Sequence, residues 1–313
     1  MPIILQEHSE QTSPLQLAEM ALGIRPLRAV RQGLSESGNA VYRLYLQNGE
    51  SAVLRTSDRP NPFAFTGRNL DALRTLGLPV QSVIAEGPTQ AGGSYIILNW
   101  LPGRDLVHEL ARLTRAQITR LAERVVEDQR RVGRLPQAAR FGWAPIGRNG
   151  NLDRWTHLFG EPAAASAVDD GTPIGGLRAR LCTLRSRVEP YFETVKPTPF
   201  LDDLTTKNVL IENGELSGII DVDFVCYGDP LLGVGATMAA VAGDVPQAGA
   251  FYGEELIRCW KPNPPQRLAI WFYAALWGIG SLHLTDAASN PKRAESLKKA
   301  SEAWLGIAED QRP

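Results

Sequence analysis

Cysteine is scarce in this chain, and histidine is scattered. Cys182, Cys226 and Cys259 are an odd number with no Cys-x-x-Cys pair, which argues against a disulfide framework or a zinc site and predicts buried, reduced thiols. His8, His108, His157 and His283 lie far apart beside no candidate nucleophile, and there is no Gly-x-Ser-x-Gly elbow, so a hydrolytic triad has little to stand on. No repeat, low-complexity tract or basic leader with a long apolar segment is present, and a cytoplasmic protein is expected. The longest uncharged run, the 17 residues from Leu268 to Leu284, contains two glycines, a serine and His283; it predicts a buried helix rather than a membrane span. A net charge of −1 supplies no global field for nucleic acid or an anionic membrane.

What is present is enough apolar residue, 43% of 313, for a sizeable core and two domains or lobes. Charge is distributed unevenly. Leu201 to Glu255 holds ten acidic residues against one lysine, an arrangement that either solvated turn carboxylates or a metal site with a cationic substrate would produce.

The centre of that acidic stretch runs from Phe200 to Pro230. Asp203 and Asn208 stand five apart, the Asp-x4-Asn spacing with which kinase-type phosphotransferases hold a substrate hydroxyl and a magnesium ion. Val209 to Ile211 and Leu216 to Ile220 are short apolar strands about Asn213-Gly214, the dipeptide of type I′ hairpins. Counting back from that turn pairs Glu212 with Glu215 and Asn208 with Ile219. Asp221 then shares a face with Asn208 as a diagonal neighbour at roughly 7–8 Å between backbones. Two oxygen donors so placed suit magnesium, which takes few carboxylates and completes its shell with phosphate and water.

Upstream, residues 14–23 have the apolar stripe of a short helix. Strands follow at 25–31, 40–47 and 51–56, with a turn at Asn48-Gly49. The intervening loop carries Gly33, Ser35, Ser37, Gly38 and Asn39; it is either an ordinary hairpin connection or a loop whose amides approach phosphate. A helix is expected at 68–76 and strands at 78–85 and 94–98. Asn99-Trp100-Leu101-Pro102-Gly103 then breaks the chain and offers backbone groups that could read an adenine. Helices are expected at 113–132, 173–195, 230–243, 247–260, 265–284 and 291–309. In the latter part Trp260, Trp271, Tyr273 and Trp277 recur at near-helical spacing as expected core. The domain expectation is an N-terminal lobe at 1–98, a hinge at 99–103 and a helical lobe at 104–313.

In order, the glycine-rich strand loop, a basic residue on the third strand, the Pro-Gly hinge, Asp203-x4-Asn208, the hairpin, Ile219-Ile220-Asp221 and Gly228-Asp229-Pro230 resemble the aminoglycoside phosphotransferase and choline kinase family. The likeness spans residues 25 to 240. It implies an α+β, protein-kinase-like two-lobed fold with a small antiparallel-sheet N-lobe and a larger, mainly helical C-lobe. It also implies an enzyme that uses ATP or GTP with Mg2+ to phosphorylate a hydroxyl of a small, polar or cationic acceptor such as an aminoglycoside-like antibiotic. A kinase of an ordinary amino alcohol or sugar, and a non-catalytic nucleotide-binding regulator, are the alternatives. By position Asp203 resembles the catalytic base, and Asn208 and Asp221 the metal ligands. Gly33 to Asn39 would cover the phosphates, Arg55 would anchor them, and Asn99 and Leu101 would meet the adenine. Asp202, Asp223, Glu254 and Glu255 would face a cationic acceptor. No nucleic-acid or membrane partner is implied. Three positions depart from the family pattern. Leu201 replaces its histidine, Asn69 the helix glutamate and Gly233 a later aspartate.

Overall fold

The computed structural model describes residues 12–32, 39–160, 173–285 and 287–311. The chain forms two compact units, one of residues 1–71 and 80–101, the other of 72–79 and 102–313.

The first unit contains α1 (Pro14–Leu22), β1 (Arg28–Arg31), β2 (Ala40–Tyr45), β3 (Ser51–Ser57), the start of α2 (Thr66–Thr75), β4 (Val83–Pro88) and β5 (Ser94–Asn99). Ser13 starts α1 with a reciprocal capping box to Gln16, and Gly23, in the left-handed region at φ 70°, ends it. The five strands form an antiparallel sheet in the order β1-β2-β3-β5-β4. Alternation puts Leu44, Ala52, Leu54 and Ile97 on one face, where they bury Leu17 and Ala18 of α1. On the other face of β2, the Arg43 guanidinium lies 3.9 Å from the Trp100 ring and 4.6 Å from Tyr45, which Arg28 also covers at 3.9 Å.

The second unit continues with β6 (Arg104–Asp105), α3 (Leu106–Glu109), α4 (Arg115–Val132), β7 (Gly142–Ala144), α5 (Pro173–Phe192), β8 (Thr198–Phe200), β9 (Val209–Glu212), β10 (Glu215–Ile219), β11 (Val225–Gly228), α6 (Leu231–Asp244), α7 (Pro246–Trp260), α8 (Pro264–Leu284) and α9 (Pro291–Asp310). Two three-stranded sheets, in the orders β10-β9-β6 and β7-β11-β8, bracket the acidic stretch. Residues 72–79 group with this unit: the Ile219 amide donates to the Pro79 carbonyl at 2.8 Å.

The helices of this unit pack around an aromatic cluster. Trp155, Phe159, Phe192, Phe272 and Tyr273 make mutual ring contacts at centroid distances of 5.3–6.5 Å, within the range of offset and edge-to-face attraction. Of the tryptophans read as core, Trp277 on α8 is 40% exposed, whereas Tyr273 on the same helix is fully buried. A near-helical spacing placed both on one stripe, but the stripe turns away from the core within a turn of helix.

Gly228, at the end of β11, admits the cluster's edge. A β-carbon there would overlap the Trp155 ring. Gly228→Ala is therefore expected to displace a fully buried indole and to cost about 2–3 kcal/mol of stability, read as a lowered denaturant midpoint with loss of near-ultraviolet ellipticity.

Candidate active site

β8 leads directly into the loop that carries Asp203. The loop is anchored at three points. The Gln129 side chain on α4 grips the Leu201 backbone from both sides, its amide donating to Leu201 O at 2.5 Å and its oxygen accepting from Leu201 N at 3.0 Å. Thr237 Oγ1 on α6 donates to Leu204 O at 3.2 Å, and Thr206 Oγ1 donates to Asp244 Oδ2 at 2.8 Å. The Gln129 and Thr237 bonds give buried loop carbonyls and an amide the partners that burial demands.

On this support the Asp203 carboxylate is held by both oxygens. Thr205 Oγ1 donates to Oδ1 at 2.6 Å and Asn208 Nδ2 to Oδ2 at 2.6 Å. So held, Asp203 remains exposed to solvent. With its nitrogen turned to Asp203, Asn208 directs its amide oxygen, a hard donor, elsewhere.

The hairpin behind Asn208 is a type I′ turn, with Asn213 at φ 52° and Gly214 at φ 82°. Its register differs from the sequence expectation. Glu212 pairs with Glu215 and Ile211 with Leu216, but a bulge at Ser217 then pairs Val209 with Ile219, and the Ile220 amide donates to Asn208 O at 3.0 Å. Asn208 is thus opposite Ile220, not Ile219. The extra residue reverses the parity by which Asp221 was matched to Asn208. Asp221 escapes the alternation altogether, since its backbone is left-handed at φ 59°, which aims its side chain independently of the ladder. The bulge has a use. Ser217 Oγ donates to Pro102 O at 2.7 Å, and the neighbouring Gly103, at φ 112°, leaves no room for a β-carbon beside Ser217 and Ile211.

Asp202 points toward β7, where Trp143 Nε1 donates to its Oδ2 at 2.6 Å. Trp143 is 43% exposed, so its indole is held at the polar end and open over its ring. Burial, the largest effect, pushes the Asp202 carboxyl up to about 6, against the opposing Trp143 bond. Asp223 is half-buried. Glu254 is exposed, but Glu255 is buried and bonded by the Arg258 guanidinium at 2.9–3.0 Å. The acidic excess is partly met in this way: Arg120 pairs with Glu215 at 2.9 Å and Arg293 with Asp244.

In the first unit, Gly33, Ser35, Ser37 and Gly38 lie outside the described residues. Asn39 is buried just before β2, and the Arg55 guanidinium lies 5.1 Å from the Phe63 ring. Asn99 does not offer the free backbone groups expected of it. Its amide donates to Ser82 O at 3.0 Å and its carbonyl accepts from Gln81 Nε2 at 2.9 Å.

A profile of the phosphotransferase enzyme family matches residues 29–271. The chain belongs to that family. By shape it is similar to a thermostable mutant of aminoglycoside phosphotransferase APH(4)-Ia in a ternary complex with ADP and hygromycin B (TM-score 0.69, 17% identity, 96% of this chain and 100% of that one). It is also similar to a putative fructosamine-3-kinase from Thermobifida fusca (0.59, 16%, 94% and 99%) and to an amicoumacin kinase with AMP-PNP, Ca2+ and its ligand Ami (0.60, 15%, 92% and 92%). At these identities the likeness establishes the kinase-like fold, an antiparallel-sheet N-lobe and a helical C-lobe. A sequence comparison with curated proteins returns no match. Among the described residues no helix is long and apolar enough to cross a membrane.

Sequence reasoning missed the internal supports of the site: Gln129, Thr205, Trp143 and the partners of Asp229. Asp229, in the Gly-Asp-Pro turn, is buried. It accepts from Tyr191 and Tyr273 hydroxyls at 2.9 Å each and from the Leu231 amide at 3.1 Å, and Trp155 Nε1 donates to Tyr273 in turn at 2.8 Å. Spacing could not reveal the two tyrosines, which lie 38 and 44 residues from Asp229, whereas Thr205 and Leu231 stand only two residues from the carboxylates they bond.

Burial, outweighing those three bonds, pushes the Asp229 carboxyl up to about 6. With the folded value above the ordinary one, the native state binds the proton more readily, so this group's contribution falls as pH rises through about 6. Lowering pH from 7 to 5 should therefore stabilise the wild type relative to Asp229→Asn by about 1 kcal/mol, measured by paired denaturant unfolding of the two proteins.

Proposed function

We propose that this phosphotransferase moves the γ-phosphoryl group of a magnesium-bound purine triphosphate to a hydroxyl of a small, polar or cationic acceptor. The observation that carries the reading is the Asp203 carboxylate, fixed by Thr205 and Asn208 at 2.6 Å on each oxygen yet exposed. In this reading Asp203 orients the acceptor hydroxyl and takes its proton as the oxygen bonds to phosphorus. The bond from phosphorus to the bridging oxygen breaks, and the diphosphate leaves with the electron pair.

The donor set fits magnesium. Asn208 would contribute its amide oxygen and Asp221 a carboxylate, with phosphate oxygens and water completing six hard ligands. When bound, the ion offsets the charge on the transferring group. Arg55 and the Gly33–Asn39 loop, with Ser35, Ser37 and Gly38, are assigned to the phosphates and Leu101 to the base, by family resemblance.

For the acceptor, the open ring of Trp143 offers a flat apolar surface for a sugar or aminocyclitol, and Asp202 and Asp223 offer compensation for amines. Glu255 is buried and paired with Arg258, which favours Asp202 and Asp223 over it for that role. Hygromycin B in one relative and the fructosamine kinase of another make polyhydroxylated amines the first acceptors to try, with amino alcohols and simple sugars beside them. Transfer to one group and not the other decides between an antibiotic and a metabolite kinase.

Asp203→Asn is expected to lower phosphoryl transfer by about 10³-fold or more while nucleotide affinity, measured by calorimetry with magnesium, changes less than about threefold. An Asp203→Asn variant that turns over at the wild-type rate refutes the assignment.

A further inference from the structure

We infer that Gln129 is the positioning residue of the catalytic loop. It acts through the Leu201 backbone to fix where Asp203 stands, in place of the histidine and the aspartate that Leu201 and Gly233 have displaced. The inference rests on the reading of Asp203 as the base.

Three observations carry it. The Gln129 amide holds both the N–H and the C=O of one loop residue, Leu201, two positions before Asp203. An amide plane that engages both groups fixes rotation of the peptide chain there as well as its place, which a single hydrogen bond does not. The grip is also buried. Gln129 is 6% exposed and Leu201 3%, so bulk water has little access to the two bonds. Finally, Gly233 on α6 faces the same pair of groups: a β-carbon there would stand 3.4 Å from Gln129 Nε2, in ordinary contact, and 3.3 Å from Leu201 O.

The test exploits the chemistry of the amide. Gln129→Leu keeps the volume and removes both bonds. Gln129→Glu reproduces both bonds only when its carboxyl is protonated, since the acid can then accept from Leu201 N and donate to Leu201 O; ionised, it sets a negative oxygen against that carbonyl. Turnover is followed as phosphate released from magnesium ATP with water as acceptor, across pH 5 to 9, for wild type, both variants and Asp203→Asn. Gln129→Leu should lose about 10- to 100-fold in kcat at every pH with the nucleotide KM within about twofold. Gln129→Glu should approach wild type at acid pH and fall to the Leu level as pH rises, a transition that wild type and Gln129→Leu lack. In nucleotide-free protein, hydrogen exchange over residues 201–206 should accelerate in Gln129→Leu and leave β11 and α8 unchanged.

Unaltered exchange over 201–206 in Gln129→Leu overturns the inference, and so does a Gln129→Leu kcat within threefold of wild type while Asp203→Asn is inactive. Wild-type turnover in Asp203→Asn instead overturns the reading of Asp203, and the exchange result then still decides whether Gln129 orders the loop.

Discussion

A single buried carboxylate ties the second unit together. Asp229 follows β11, and its three hydrogen bonds collect α5 through Tyr191, α8 through Tyr273 and the first turn of α6 through Leu231. A charge in that position is expensive unless each lone pair it presents finds a donor. The helices that bring the donors must consequently sit where they do, and the aromatic rings that carry two of the hydroxyls build the core on the way. Trp155, closing on Tyr273 at one end and on Gly228 at the other, makes the arrangement continuous with β11, the strand that follows the β9–β10 hairpin.

The loop of Asp203 depends on the same packing. β8 is paired with β11, so the point at which the chain leaves the sheet toward Leu201 is fixed by the strand that Asp229 terminates. From there the loop is held by side chains, Gln129 at Leu201, Thr237 at Leu204 and Asp244 at Thr206, and by the Val107 amide of α3, which donates to Thr206 O at 2.9 Å. This division suits a site that must present a carboxylate to solvent while keeping its backbone groups satisfied. It also explains how positions that depart from the family pattern can be tolerated. What the loop requires is a partner for its peptide groups, and a glutamine from α4 supplies one as well as a residue from its own vicinity would.

Local chemistry made much of the fold legible. Ser13, Asn263 and Gln266 mark helix starts by capping, Gly23 marks a stop, and Asn213-Gly214 forms the left-handed turn its dipeptide requires. The helices of the second unit fall within two or three residues of their apolar periodicity because that periodicity and the burial of each helix face have one cause. The hairpin register was not legible. A bulge adds one residue to a strand without any composition signal, and Ser217 reveals its purpose only through Pro102, more than a hundred residues away. Asn99 illustrates the same limit. Its place after an apolar strand is plain from the sequence, while the occupation of its amide and carbonyl by Ser82 and Gln81 depends on how β4 and β5 approach.

The sequence by itself determined the elements, the order of the motifs and the residue types with which phosphoryl chemistry can be done, because spacing, turn propensity and side-chain functional groups are properties of neighbours along the chain. Tertiary structure alone decided which of those groups are already committed. It gave Glu255 to Arg258 and Asp202 to Trp143, set Asn208 against Ile220, and assigned the support of Asp203 to Gln129. The physical reason is that hydrogen bonding and charge pairing are short-ranged in space and indifferent to separation in sequence, so the state of a site is written in contacts that only the folded chain makes.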